Sequence, residues 1–253
     1  MALNSKIQWT HHTANLWWGC TKVHEGCDHC YAEAFSSRFG EDLWGIDKPR
    51  KEIKSVWKDL IKMQKIAKKS GEVHRVFVGS MMDIFEKPMP IIGSDNPEYT
   101  TGALRDKLFK QISDGLYPNL MFLLLTKRPS NIRKYIPDSW KGNPPNNVMY
   151  GISVVNQKTA ETLIPQLLEV SGKRFLSVEP QIDSINIQGF LFNKGINWVI
   201  QGGESGHNKR PFDLDWAYYL KSQCEKTNTP YFFKQIDKVQ EIPEDLLVRQ
   251  FPD

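Results

Sequence analysis

The sequence predicts an α/β protein built as a parallel (β/α) barrel or partial barrel, with a cysteine-bearing loop after the first strand. Three observations predict it. Short apolar runs alternate with helical segments along the chain, and that alternation implies βαβ units and a parallel sheet. The run Met121-Phe-Leu-Leu-Leu125 is apolar without alternation, as a strand buried on both faces requires. At 253 residues the chain has the usual size of a barrel domain. No repeat or low-complexity linker divides it, so residues 1–253 are read as a single domain.

Taken in order, Ile7–Thr10 alternates apolar and polar residues and is the first expected strand. A helix is expected over Tyr31–Phe39, and a longer one over Ile53–Ser70. The lysine-rich stretch Lys62–Lys69 of the latter reads as a solvated helix face. His74–Val78 is the next strand, Thr101–Asp114 the next helix, and Leu120–Leu125 and Val148–Ser153 are strands. Gln157–Ser171 is a helix, Arg174–Val178 and Asn197–Gln201 are strands, Asp213–Thr227 is a helix and Tyr231–Lys234 is the last strand. Three stretches read as loops. Phe39–Lys51 holds Gly40, Gly45 and Pro49; residues 138–147 hold Gly142, Pro144 and Pro145. Glu86–Tyr99 holds Pro88, Pro90, Gly93 and Pro97 and is long enough for a lid or an insertion.

Composition excludes several classes. The first residues lack the apolar core of a secretory leader, and no apolar run approaches a membrane span. Four cysteines in 253 residues are too sparse for a disulfide framework, so a reducing cytoplasm is expected. A net charge of +4 tolerates nucleic acid as a partner but does not argue for it.

Polar residues collect where successive strands end. Val76-Phe-Val78 runs into Gly79-Ser-Met-Met-Asp83, and Leu125 into Thr126-Lys-Arg-Pro129. Ser153 leads to Asn156, Ser177 to Glu179-Pro180, and Gln201 to Gly202-Gly-Glu204. In a parallel barrel this C-terminal rim is where sites are built. The cysteine loop feeds the same rim. Cys20, Cys27 and Cys30 have the spacing Cys-x6-Cys-x2-Cys, and the fourth cysteine, Cys224, lies mid-helix as a small buried hydrophobe. Three thiolates without a fourth of their kind suit an iron–sulfur cluster with one iron left open. Zinc is the alternative, with His24, His29, His11 or His12 completing a Cys3His set. Trp9, Trp17 and Trp18 flank the loop and would shield a centre from water.

These blocks resemble two known groups. A three-cysteine loop after the first strand of a parallel barrel is similar to the radical S-adenosylmethionine (SAM) superfamily. The commonest spacing there has three residues in the first gap; this chain has six. More closely, the chain resembles an uncharacterised, often phage-encoded family described by its three-cysteine motif. The likeness runs through Ile7-Gln-Trp-Thr10, Gly26-Cys-Asp-His-Cys-Tyr-Ala-Glu33, Leu125-Thr-Lys-Arg-Pro129, Gly151-Ile-Ser-Val-Val-Asn-Gln157, Leu176-Ser-Val-Glu-Pro180 and Phe232-Phe-Lys-Gln235.

The resemblance implies a [4Fe–4S] cluster on Cys20, Cys27 and Cys30, with SAM on the fourth iron and cleavage to a 5′-deoxyadenosyl radical. It implies cofactor contacts from Tyr31 to the adenine, from Ser80 and Asp83 to the methionine amino group, and from Ser153, Asn156 and Gln157 to the ribose, with Lys234 and Gln235 closing the substrate side. Arg128 and Lys127 would take an anionic group, either the SAM carboxylate or a substrate phosphate. Glu179 and Glu204 would bind substrate or move protons, with Lys127 among the catalytic set. Local roles compete with several of these: Asn156 is placed to cap a helix, Asp83 to cap a turn, and Tyr31 to pack the first helix. The substrate expected is a nucleotide, a nucleic acid or another phage-linked molecule, with a protein partner left open. The competing functions are a zinc-containing binding protein and a cluster with a structural or electron-transfer role.

Overall fold

The computed structural model describes residues 3–192, 195–206 and 208–252. Its strands are β1 (His12–Ala14), β2 (Trp17–Trp18), β3 (Lys51–Glu52), β4 (His74–Val78), β5 (Leu120–Thr126), β6 (Val148–Ser153), β7 (Lys173–Val178), β8 (Trp198–Gly202) and β9 (Tyr231–Gln235). Its helices are α1 (Tyr31–Ser37), α2 (Val56–Ser70), α3 (Thr101–Ser113), α4 (Ile132–Tyr135), α5 (Asp138–Gly142), α6 (Gln157–Leu168), α7 (Gln188–Leu191) and α8 (Leu214–Thr227). Seven strands form one parallel sheet in the order β1-β4-β5-β6-β7-β8-β9, while β2 and β3 pair separately. Among the described residues β1 and β9 do not pair, so the sheet curls into a half-barrel with an open side.

Alternation along each strand sorts the side chains. Val76, Phe122, Tyr150, Leu176, Val199 and Phe233 point outward into the large core shared with the helices. Phe77, Leu123, Met149, Phe175, Trp198, Ile200 and Phe232 point inward and fill the bottom of the curl. The inward layer is tight at Gly151, where a Cβ would lie 2.1 Å from the Phe175 ring.

The expected first strand is corrected. Residues 7–10 make a turn, with Thr10 N donating to Ile7 O at 3.2 Å, and the first strand begins at His12. The alternation of Ile7 and Trp9 has another cause. Trp9 plugs the half-barrel, its ring 4.7 Å from Phe77 and 6.1 Å from Trp198. Thr10 fixes the plug by donating to Arg75 O and accepting from Phe77 N.

The five expected helices are present within a few residues of their expected ends. Helix α2 stops at Gly71, which adopts φ of +73°, and α6 starts on a reciprocal cap between Asn156 and Thr159. Short α5 falls inside the stretch 138–147 expected as loop. The Glu86–Tyr99 segment is tied down rather than free as a lid would be. Arg50 N donates to Pro90 O at 2.8 Å, Ile92 N donates to Arg50 O at 2.9 Å, and Ile91 is buried. No helix among the described residues is long and apolar enough to cross a membrane.

Candidate functional site

The strand ends of the half-barrel open into a cavity of about 230 Å³. Its floor is apolar, from Trp9, Phe77 and Leu125, and its walls are the turns after β4, β5, β7 and β8 together with the cysteine loop. The sequence-predicted site residues line it except Asn156, Gln157 and Gln235. Asn156 caps α6 by accepting from Thr159 N at 3.0 Å and donates to Glu25, so its local role is the one observed.

The cysteine loop crosses the mouth and is fastened on both sides. Near its start, Gly19 N donates to Met81 O at 3.1 Å in the turn after β4, and Arg128 donates to Thr21 O. Gly19 is required there: its φ is +112°, and a Cβ would lie 2.6 Å from Leu43 O. Arg50 holds the neighbouring segment, donating to Thr21 Oγ1 at 2.9 Å and to the carbonyls of Leu43, Gly45 and Lys48. At the far end, His29 Nδ1 lies 2.9 Å from Glu204 Oε2, and Arg210 reaches Glu25 O at 3.2 Å.

Cys20, Cys27 and Cys30 are free of disulfides, half-buried and on this one cavity. Cys20 has the most enclosed thiol. Burial and the nearby Asp83 carboxylate push it up to about 12, against the opposing charge of Arg128. Arg128 Nη1 is 3.8 Å from Cys20 Sγ. No three His, Cys, Asp or Glu side chains among the described residues are placed to share a single metal ion. A tetrahedral zinc with bonds of about 2.3 Å needs its ligands converged on a point. A cubane cluster distributes them, one thiolate to each of three irons. All three thiols line the one cavity, as either centre would need.

The histidines divide. His11 and His12 lie at the opposite end of the sheet from the loop, stacked and bonded with His74: His12 Nε2 is 3.0 Å from His74 Nδ1, and the His11 and His74 rings are 4.5 Å apart. They are therefore removed from the set that could complete a zinc site. His29 is held by Glu204. His24 accepts from Gly26 N at 3.1 Å, while its buried Nε2 has no hydrogen-bond partner. Burial, then the Lys127 and Arg128 charges, lowers the His24 pKa to about 4.

The expected acids and bases are heavily engaged. Asp83 accepts from Thr126 Oγ1 at 2.6 Å, Arg128 Nη1 at 2.6 Å, Phe85 N at 3.0 Å and Lys127 N at 3.1 Å. It is the knot between two strand-end turns. Glu204 accepts from Arg210 Nη2 at 2.7 Å and Arg210 N at 2.8 Å. Burial would raise its pKa, but the Arg210 donors and His29 outweigh it and the carboxyl is held low. Glu179, followed by a cis proline, pairs with Lys234. Ser80 accepts from Asn15 Nδ2 at 2.8 Å, and Tyr31 OH donates to Ser80 O at 2.7 Å. Among the described residues the Lys127 ammonium donates only to Ser153 Oγ, at 3.3 Å.

Sequence reasoning missed Arg50, Arg210 and Ser177. Ser177 had a usable signal, because Phe175, Ser177 and Glu179 follow the period of two that puts residues on one face. Arg50 and Arg210 had none: both lie outside the helices and main strands, where no periodicity assigns a side chain its partner.

A family model described as protein of unknown function (DUF5131) matches residues 4–245. The chain belongs to that family. A search of curated proteins found no match, and a search of solved structures found none.

Proposed function

We propose that the chain is a radical SAM-type enzyme, in which Cys20, Cys27 and Cys30 hold a [4Fe–4S] cluster and SAM occupies the open iron. The observation that carries this reading is the convergence of three disulfide-free thiols and the polar strand ends on one cavity with an apolar floor. When bound, that pair of groups supplies a reductively generated carbon radical that takes a hydrogen atom from substrate.

The chain's own residues have defined tasks under this reading. Arg128 directs an N–H toward Cys20 Sγ, a contact of the kind that tunes a thiolate-held cluster. Tyr31, pinned through its hydroxyl to Ser80 O, offers a fixed aromatic face for the adenine. Trp9, Phe77 and Leu125 keep the floor dry, which protects a reactive intermediate from water. Glu179 and Lys234 form a carboxylate–ammonium pair on the wall, the group best placed among the expected acids to exchange a proton with substrate. The substrate class we propose is a nucleotide or the end of a nucleic acid, entering from the open rim. A reducing, cytoplasmic setting accords with four free cysteines.

The test is anaerobic purification with iron, sulfide and zinc analysis, then electron paramagnetic resonance of the dithionite-reduced protein with and without SAM. The expected result is about four irons per chain and a spectrum that changes on adding SAM. One tightly bound zinc and no iron would overturn the reading.

A further inference from the structure

We propose that Lys127, Ser153 and Ser177 form a recess that binds an anionic group, phosphate or carboxylate, of the substrate. This rests on the reading of the cavity as a substrate chamber. Of the other basic side chains lining the cavity, Arg128 pairs with Asp83 at 2.6 Å, Lys234 with Glu179 and Lys22 with Glu33, while Lys238 has no carboxylate partner among the described residues but has no serine hydroxyl bonded to it either. Lys127 also has no carboxylate partner among the described residues; its single side-chain contact is Ser153 Oγ at 3.3 Å. An ammonium group beside an apolar floor with no counter-ion is an anion site waiting for its anion, and the low dielectric strengthens the attraction.

The two serines complete it. Ser153 and Ser177 are register partners on adjacent strands β6 and β7, and both line the cavity. They are 1% and 2% exposed, so their positions are set by the sheet. Ser153 Oγ accepts from Lys127, which leaves its own proton to donate. Ser177 Oγ makes no hydrogen bond to a described residue. One cation and two hydroxyl donors on neighbouring strands match the lone pairs of an oxyanion. A neutral or cationic substrate would leave all three unsatisfied.

The test uses the metal-free full chain and amine acetylation with an N-hydroxysuccinimide ester, read residue by residue by mass spectrometry. The probes are inorganic phosphate and formate, against chloride at equal ionic strength. With a Kd of about 1 mM, phosphate at about 10 mM leaves roughly a tenth of the recess empty, so acetylation of Lys127 slows about tenfold. Lys62 and Lys65, on the exposed face of α2, serve as controls and keep their rates. The double variant S153A/S177A reduces the protection to about threefold or less. Protection by phosphate alone or formate alone identifies which anion the recess takes. Equal protection by chloride, or none by either oxyanion, overturns the proposal.

A second arm repeats the labelling on iron-loaded protein with SAM. Additive protection by SAM and phosphate is expected. SAM protection to which phosphate adds nothing assigns the recess to the SAM carboxylate and overturns the substrate assignment. If no iron loads, the cluster reading falls, and the metal-free arm decides the recess alone.

Discussion

Replacing Arg50 with Met tests the ion pair that anchors the start of the cysteine loop. Arg50 is fully buried and Glu86 is 2% exposed; they meet through Nη2–Oε1 at 2.6 Å and Nε–Oε2 at 3.0 Å. Methionine replaces most of the volume but leaves the Glu86 carboxylate buried, with Arg128 3.8 Å away as its nearest remaining cation. Stranding one partner of a buried pair costs about 3–5 kcal/mol. Arg128 offsets part of that, and three carbonyls losing their donor restore it, so about 4 kcal/mol is expected. Neutralising the stranded acid as well, in R50M/E86Q, recovers about 1–3 kcal/mol of the loss. The assay is equilibrium urea unfolding followed by tryptophan fluorescence, with the difference taken from midpoints at unchanged slope. A single-variant loss under about 1 kcal/mol is what an exposed pair gives and would refute the anchoring role. A double variant as unstable as the sum of the singles would refute the charge-stranding mechanism.

Alanine at Cys20, Cys27 or Cys30 abolishes iron retention, while Cys224→Ala, altering a buried helix residue outside the cavity, keeps the iron and loses about 1 kcal/mol; iron loss in the Cys224 variant overturns the three-thiol site. Glu204→Gln weakens the latch to His29 and Arg210, with about 1.5–3 kcal/mol lost in urea unfolding and lower iron occupancy; unchanged values for both refute the latch. Burial, then Arg75 and His74, lowers the His11 pKa from 6.5 to about 4, and burial and His74 lower that of His12. Their protons bind more tightly in the unfolded chain, so this stability is full above pH 6.5 and declines as the pH falls toward about 4. Urea midpoints between pH 7 and 5 should fall less steeply in His12→Gln than in the parent, and parallel slopes would refute the assignment. Gly151→Ala forces a methyl into the Phe175 ring and loses about 1–3 kcal/mol or more, checked by thermal unfolding; a neutral effect would show that the inward layer has slack.

The fold was legible because its signals are local. Parallel strands buried on both faces read as apolar runs, and each was placed within a residue or two, from His74–Val78 to Tyr231–Gln235. The failure at Ile7–Thr10 is instructive. A plug and a strand give the same short alternation of apolar and polar residues, and only the distance from Trp9 to Phe77 and Trp198 tells them apart. The site was legible as membership: strand-end polarity put most of the nominated residues on the cavity, with Asn156, Gln157 and Gln235 off it. It was not legible as role. Whether a carboxylate is free depends on partners such as Arg210 for Glu204 and Arg128 for Asp83, and nothing in the spacing of glutamates and aspartates specifies those pairings.

Those pairings also explain how the mouth of the cavity is fastened. A loop that crosses the open side of a half-barrel has no sheet to hold it, and each buried charge used to fasten it must be matched. The chain meets this with pairs placed at the edge of the mouth: Arg50 with Glu86, Arg128 with Asp83, and Glu204 with Arg210 and His29. Arg50 and Arg128 both fasten the start of the loop at Thr21, and Glu204 with Arg210 and His29 fastens its far end. The acids that sequence chemistry nominates first are thereby committed to positioning. Ser153, Ser177 and Lys127 make no such pairs, and the sheet register sets the positions of the two serines. Lys127 and the two serines line the same cavity as Cys20, Cys27 and Cys30.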